Sequence, residues 1–311
     1  MMQDNALQFS IARPQDAHAW VQLSYPGANL LPPDVLTNEI SQFNTTQGDS
    51  AAVERFICRL GEAPIARFEL HRLDSMVELH EFKIGEGYLA SQGQAILHGI
   101  IGIARSLGTI LTIDFYSPAY SGIILAAGFK QNIRTRMMKS LTNYMAQPVR
   151  LPAGITLRHP IFDDEGAVAE MVYHNYKGTA DEEMVSSSPA QAAAIIRAMF
   201  HNDYNLLDPT GSYLAVDKSG RLIGDVILGD ASRSLTELQG WIMDISIAQE
   251  YRGQGLGKAL ITSAINAAKA HGYPRIGLIV TIGNNIAQSL YRSLGFEDYG
   301  EVMYEAILKL K

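Results

Sequence analysis

GKALITSAINAAKAHG, residues 257–272, has an echo earlier in the chain, GQAILHGIIGIARSLG at residues 93–108. The offset is constant: 257 − 93 = 164 and 272 − 108 = 164. Each segment opens on Gly, carries apolar residues at helical spacing and closes on a Gly suited to a helix C-terminus. A repeat of this kind sets the architecture before any single element does. The echo extends in both directions. Residues 9–18 (FSIARPQDAH) resemble 155–165 (ITLRHPIFDDE), a short alternating strand followed by Arg, Pro and acids. Residues 54–70 (ERFICRLGEAPIARFEL) and 213–228 (YLAVDKSGRLIGDVIL) are each two apolar runs about a Gly-containing turn, the pattern of a β-hairpin. After each repeated helix come an apolar strand (TILTIDF; RIGLIVTI) and a second helix ending in Gly-Phe (AAGF; SLGF). The order strand, helix, hairpin, strand, helix, strand, helix, strand is therefore read twice. It predicts an α/β chain of two tandem domains, each a mixed, mostly antiparallel sheet flanked by helices. The prolines of NYMAQPVRLPAG at 143–154 mark the linker, which sets the expected domains at 1–148 and 149–311.

Bulk composition agrees with two globular domains and narrows the function classes. At 311 residues the chain exceeds one ordinary core, and it is 47% hydrophobic and 18% charged. A net charge of −7 argues against a nucleic-acid-binding surface. Cys58 is the sole cysteine and lies in the apolar run ERFICRL, so it reads as a buried strand thiol and no oxidising compartment is required. No signal peptide is visible at MMQDNALQ, and the apolar window from Ala95 to Ile113 is broken by His98, Arg105 and glycines. That window reads as a helix followed by a strand. The expectation is a cytoplasmic protein, without a membrane or nucleic-acid partner, as a monomer or homodimer. The eight histidines show no ligand spacing, so no metal is expected.

Just before the second repeated helix stands a bare, basic corner, QEYRGQGLGKAL at 249–260. Upstream, LQGWIMDISI is a strand-length run rich in isoleucine and aromatics. Downstream, Leu256, Leu260, Ile261, Ala264 and Ala268 recur on one side of a helix. Gly253, Gly255 and Gly257 thus occupy a strand-to-helix turn. Open N–H groups at a helix start form an anion site, and glycines let a ligand approach the main chain. Arg252 and Lys258 add charge suited to phosphate oxygens. A P-loop does not fit, because Arg252 stands five before Gly257 and Ala259 follows Lys258. A dinucleotide fingerprint does not fit either, because Leu260 stands where its third Gly belongs. Taken alone, the corner is nearly as readable as a simple chain reversal.

Further along, GNNIAQSLYRSLGF at 283–296 predicts a helix capped by Asn284 or Asn285 and closed at Gly295. Asn284, Ala287 and Tyr291 share one face of it. Ile286, Leu290 and Leu294 form a different, apolar face suited to packing.

Together these residues resemble the GNAT superfamily of acyl-CoA-dependent N-acyltransferases. The family's first signature, Arg or Gln, two residues, Gly, one residue, Gly or Ala, is met by Arg252, Gly255 and Gly257. Its second, Asn-x-x-Ala-x-x-Leu-Tyr followed by Gly-Phe, is met by Asn284, Ala287, Leu290, Tyr291, Gly295 and Phe296. The resemblance covers roughly residues 155–311. It implies acetyl-CoA as acyl-donor substrate, with its pyrophosphate on the amides of the corner (Arg252, Gly253, Gly255, Gly257, Lys258). It implies that the strand end at Ile245 and Ile247, with Asn284 and Ala287, holds the pantetheine arm, and that Tyr291 protonates the leaving thiolate. A phenol suits that role because it is neutral at rest. Asp244 and Glu237 are the nearest candidates for the base that deprotonates the acceptor amine, with Asp244 acting through water. The implied reaction is transfer of an acetyl group to a primary amine of a small molecule or protein. A non-catalytic acyl-CoA sensor and an interaction module are the alternatives.

The first repeat departs from both signatures. At the 164-residue offset Arg252 meets Tyr88, Gly255 meets Ser91, and only Gly93 matches Gly257. Counted back from Gly128-Phe129, the tyrosine position is Ile124 and the asparagine position Ser117. The first half therefore reads as a degenerate copy, structural or cleft-forming, as in tandem GNAT proteins such as the mycothiol-forming acetyltransferases. Asp181, Glu182 and Glu183 could attract a cationic acceptor; a solvated acidic helix start is the favoured reading.

Overall fold

The computed structural model describes residues 6–24, 33–45, 53–73, 76–114, 116–185, 188–202, 206–231 and 238–310. The chain forms two compact units. Unit 1 is Met1–Asn132 with Tyr304–Lys311, and unit 2 is Ile133–Met303.

In unit 1, β1 (Leu7–Ile11), α1 (Ala17–Ser24) and α2 (Pro33–Thr45) precede the strands β2 (Val53–Leu60), β3 (Ala63–Leu73) and β4 (Met76–Ile84). Then come α3 (Leu89–Ala104), β5 (Ile110–Ile113), α4 (Ser121–Ala126) and the start of β6 (Lys130–Ser140). β1 to β4 pair antiparallel in sequence order, and β4 pairs parallel with β5. Gly61, at φ +60°, makes the tight β2–β3 turn that the sequence places there. Apolar residues of α3 (Ile96, Leu97, Ile100) close over Phe68, Leu70, Val77 and Leu79 of the sheet. Cys58 is buried in this core, and burial pushes its thiol up to about 11, so it is inert at neutral pH.

Unit 2 repeats the order with more helix: β7 (Thr156–Arg158), α5 (Glu165–Asn175), α6 (Glu182–Val185), α7 (Pro189–Phe200), the two-residue β8 (Leu206–Leu207), β9 (Tyr213–Val216), β10 (Leu222–Asp230), β11 (Gly240–Ile247), α8 (Leu256–Ala270), β12 (Arg275–Thr281), α9 (Asn285–Ser293) and β13 (Glu297–Lys309). β7, β9, β10 and β11 pair antiparallel, and β11 then pairs parallel with β12. One face of the sheet packs on α8 through Leu256, Leu260, Ile261 and Ala264, and another core forms with α5 and α7 through Val168, Val172 and Ile196. The mixed, mostly antiparallel sheet with flanking helices is thus present in both units. Among the described residues no helix is long and apolar enough to cross a membrane.

The division between units differs from the sequence boundary at 148/149, and the final strands explain it. Residues 134–140 of β6, the last strand of the first repeat, pair antiparallel with β12 in unit 2. Residues 306–309 of β13, the last strand of the second repeat, pair antiparallel with β5 in unit 1. Repeats read along the chain cannot reveal that exchange, because both strands follow their helices in the same order. The linker at 143–154 has no regular structure. It lies on α8, with the Tyr144 hydroxyl donating to Asn266 Oδ1 at 2.9 Å and Asn266 Nδ2 donating to the Gln147 carbonyl at 2.8 Å.

The helix starts of the two repeats also differ. α8 begins at Leu256, with Gly255 as N-cap at φ +87°, so the glycines sit at the helix mouth. α3, expected to open at Gly93, begins at Leu89, and it ends four residues before Gly108. Gly93 therefore lies inside the helix, where an added Cβ would stand 3.1 Å from Leu89 Cδ1 and 3.4 Å from Ile123. It serves helix packing; the glycines ahead of α3 are Gly85 and Gly87, the latter at φ +84°, and no Arg stands among them.

Candidate active site

β11 and β12 begin side by side and then part. Their parallel pairing covers Gly240↔Ile276 and Trp241↔Gly277. From residue 242 to 247 no β12 partner is found for β11, although both strands continue. A bulge contributes on the other side: the register with β10 runs Leu228↔Ile242 then Ile227↔Asp244, leaving Met243 as the extra residue. The resulting cleft is a cavity of about 920 Å³, lined by β11, by Leu278, Ile279 and Val280 of β12, by the glycine corner and by α9. The main-chain edge of β11 is thereby presented to whatever enters, in the manner of strand addition.

The corner stands at one end of this cavity. Gly253 and Gly255 have φ +74° and +87°, conformations that side chains rarely adopt. A Cβ on Gly257 would lie 3.0 Å from Ile247 Cδ1 and 3.3 Å from Leu290 Cδ2, so Gly lets α8, β11 and α9 converge there without displacing those side chains. Lys258 is exposed and also lines the cavity. Arg252 is exposed and also braces the loop. Its Nε donates to the Ile247 carbonyl at 2.9 Å, and its Nη2 donates to the Asn175 carbonyl. These two donors clamp the loop against the ends of β11 and α5, and the exposed guanidinium keeps others free for a ligand.

Across the cleft, Asn284 caps α9 by accepting from the Ala287 N–H at 3.2 Å. Asn284, Ala287 and Tyr291 all line the cavity, as one face of a helix must. Leu290 and Leu294 pack on the unit 2 core. Ile286 does not: it is 88% exposed and lines the cavity. At about 100° per residue it sits at the margin of the packed face, and in the first turn nothing covers it.

Tyr291 is 6% exposed, and no hydrogen bond joins its hydroxyl to another described residue. Burial raises its pKa well above the usual phenol value; the charges of Asp244 and Asp181 add to this and Arg134 opposes it. Asp244, 5% exposed, faces the same cavity and accepts from the Tyr176 hydroxyl at 2.7 Å through Oδ1. Burial lifts its carboxyl above the ordinary range, although the adjoining Asp225 carboxyl and the Tyr176 hydroxyl pull the other way.

Asp181 was expected in a solvated helix start, and the structure overturns that. It is 8% exposed, lines the cavity and accepts from the Thr281 hydroxyl. Glu182 accepts from the Gly178 N–H at 2.8 Å, closing the turn ahead of α6. Glu237 and the Glu183 side chain lie outside the described residues. Sequence reasoning missed Tyr176, Asn175, Asp225 and Ser246. Their signal was available: Asp225 interrupts LIGDVIL, and Ser246 interrupts the apolar end of WIMDISI. A polar group in a strand buried on both faces requires a partner.

The chain is similar to several known proteins. Residues 176–296 match the model of the Acetyltransferase (GNAT) family. N-alpha-acetyltransferase 30 of Schizosaccharomyces pombe (strain 972 / ATCC 24843) is 36% identical over 91 residues, which is 29% of this chain and 60% of that protein's length. Mycothiol acetyltransferase of Streptomyces scabiei (strain 87.22) is 28% identical over 253 residues, 79% of this chain and 72% of that one. A solved tandem GNAT protein from the clavulanic acid biosynthesis pathway shares the fold, with a TM-score of 0.53 at 17% identity over 98% of this chain and 99% of its own. Residues 176–296 thus resemble the GNAT acetyltransferases in sequence, and the chain as a whole shares the fold of a tandem GNAT protein.

Proposed function

We propose that unit 2 is an acetyl-CoA-dependent N-acetyltransferase acting on an amine. The observation that carries this reading is one cavity joining four features: the glycine corner, the unpaired edge of β11, Tyr291 and Asp244. Acetyl-CoA would supply an activated acyl group and a thiolate leaving group. Amides at 253–257 and the start of α8 offer hydrogen bonds and a positive dipole end to its pyrophosphate. A second cavity on the other side of Gly255, about 740 Å³ and bearing Lys139, Arg150 and Lys258, suits its nucleotide end. The β11 edge at Ile245 and Ile247 pairs with the pantetheine amides, and its N–H groups stand where an oxyanion forms.

Asp244 takes one proton from the acceptor's ammonium, freeing the lone pair for attack on the carbonyl carbon. The raised pKa suits the task, since it brings a carboxylate nearer neutrality. As the carbon–sulfur bond breaks with its electron pair on sulfur, Tyr291 donates its proton there. The second proton of the nitrogen restores the phenol. Asp181 and Asp244 give this end of the cavity negative character, which favours a cationic amine over a neutral nucleophile.

Unit 1 carries other residues at the two α9 signature positions. Ile124 is fully buried at the tyrosine position, and Ser117 caps a short turn by accepting from the Ala119 N–H. Titration calorimetry of the full chain with acetyl-CoA is therefore expected to give one site per chain. Two sites would place a second coenzyme in unit 1, and no binding at all would contradict the reading.

A further inference from the structure

Behind Asp244 lies a second carboxyl that no step above uses. Asp225 on β10 stands directly opposite Ser246 on β11, and Asp244 lies two residues before Ser246. The two acids are thus diagonal neighbours, with their side chains in mutual reach. Asp225 is 0% exposed. Its Oδ1 accepts from Ser246 Oγ at 2.5 Å, and Ser246 in turn accepts from Asn175 Nδ2 at 2.9 Å. Asp244 Oδ1 is held by Tyr176. That leaves Oδ2 of Asp225 and Oδ2 of Asp244, both fully buried and neither with a partner that carries a hydrogen. Two carboxylates sealed together cannot both stay ionised; one proton between them satisfies both orphaned oxygens.

We propose that Asp225 and Asp244 share one proton at neutral pH, held on Asp225, so that Asp225 positions Asp244 as the carboxylate facing the acceptor amine. This rests on the reading of Asp244 as the base. The assignment of the proton follows from place: Asp244 reaches the cavity, where solvent and a cation can stabilise its charge, and Asp225 reaches neither. Asp225 is accordingly held far above the carboxylate range, first by burial and then by Asp244. The other ionisable groups around the pair are Tyr176 from the end of α5, Asp181 beyond it, Tyr291 from α9 and Arg134 from β6. Asp181 opposes a second negative charge on the pair. When Asp244 accepts the ammonium proton the pair becomes neutral, and releasing that proton to solvent resets it.

The stability consequence has a definite sign. A carboxyl whose folded pKa is raised above the unfolded ~3.9 stabilises the fold fully below that value, and the contribution is lost as pH rises toward the folded pKa. Asp225→Asn keeps an acceptor for Ser246 and a donor for Asp244 without a titrating proton, so it is expected to fold and to lose this pH dependence.

The test is 13C NMR of the full-length chain labelled at aspartate carboxyls, alongside pH–rate profiles. One carboxyl is expected to remain protonated at pH 7, and its signal to vanish in Asp225→Asn. The acid limb of kcat/KM for that variant should stay within about half a pH unit of wild type, since a neutral amide replaces a neutral acid. Asp225→Ala, which removes the donor, should raise the limb by about one unit. Full ionisation of every aspartate by pH 7, or a fall of the limb by a unit or more in Asp225→Asn, would overturn the shared proton. The wild-type titration requires no variant to fold. A protonated carboxyl assigned to Asp225 in a chain that transfers no acetyl group keeps the shared proton and removes only the function read for Asp244.

Discussion

Tyr291→Phe is expected to lower acetyl transfer about a hundredfold or more, in the range that a single general acid contributes. Acetyl-CoA affinity should stay within about twofold, because only the hydroxyl is removed and the ring keeps its packing. Tyr291 is nearly buried beside Phe296, ring centroids 6.1 Å apart, and that contact survives the change. Stability is therefore expected to hold. The hydroxyl makes no hydrogen bond to another described residue, so its removal orphans nothing within the protein. The discriminating pattern is a fall in kcat at unchanged coenzyme Kd, read by single-turnover kinetics and calorimetry. An unchanged kcat would take Tyr291 out of the mechanism.

Gly255→Glu should act on the opposite side of the same ledger, weakening acetyl-CoA binding about a hundredfold, near 2.7 kcal/mol. One effect falls on the fold and the other on the ligand. Gly255 is the N-cap of α8 at φ +87°, a conformation that costs an L-residue about 1–2 kcal/mol. A carboxylate there also places negative charge at the helix start, which disfavours an anionic ligand. No atom lies within 4 Å of a Cβ built at Gly255, so the change is tolerated sterically and the fold should survive. Calorimetry with acetyl-CoA checks the affinity, and thermal denaturation checks the fold. Unaltered affinity would remove the corner from coenzyme binding.

Much of this was legible in the sequence because it repeats local patterns. The hairpin over β2 and β3, the helix after 256 and the strand ahead of it follow from turn glycines and apolar spacing. So does the face of α9 that carries Asn284, Ala287 and Tyr291. What escaped depended on long-range pairing. The placement of β6 beside β12 and of β13 beside β5 leaves no trace in periodicity. The engagement of Arg252 with two carbonyls depends on where α5 ends. Asp181 looked solvated because its neighbours Glu182 and Glu183 are acidic, yet Thr281, one hundred residues away, hydrogen-bonds it in a buried position. Asp225 and Ser246 were visible as polar interruptions in strands, but only the antiparallel register showed that they face one another.

The central claim is that the cavity of unit 2 moves an acetyl group rather than merely holding its donor. Full-length chain, acetyl-CoA and a broad panel of amines should yield free thiol in step with an acetylated amine, the thiol measured colorimetrically and the product by mass spectrometry. At least one amine is expected to raise thiol release well above the amine-free background, and Tyr291→Phe to abolish most of that increase. Tight acetyl-CoA binding with thiol release at background for every amine would contradict the account and leave a binding protein in its place.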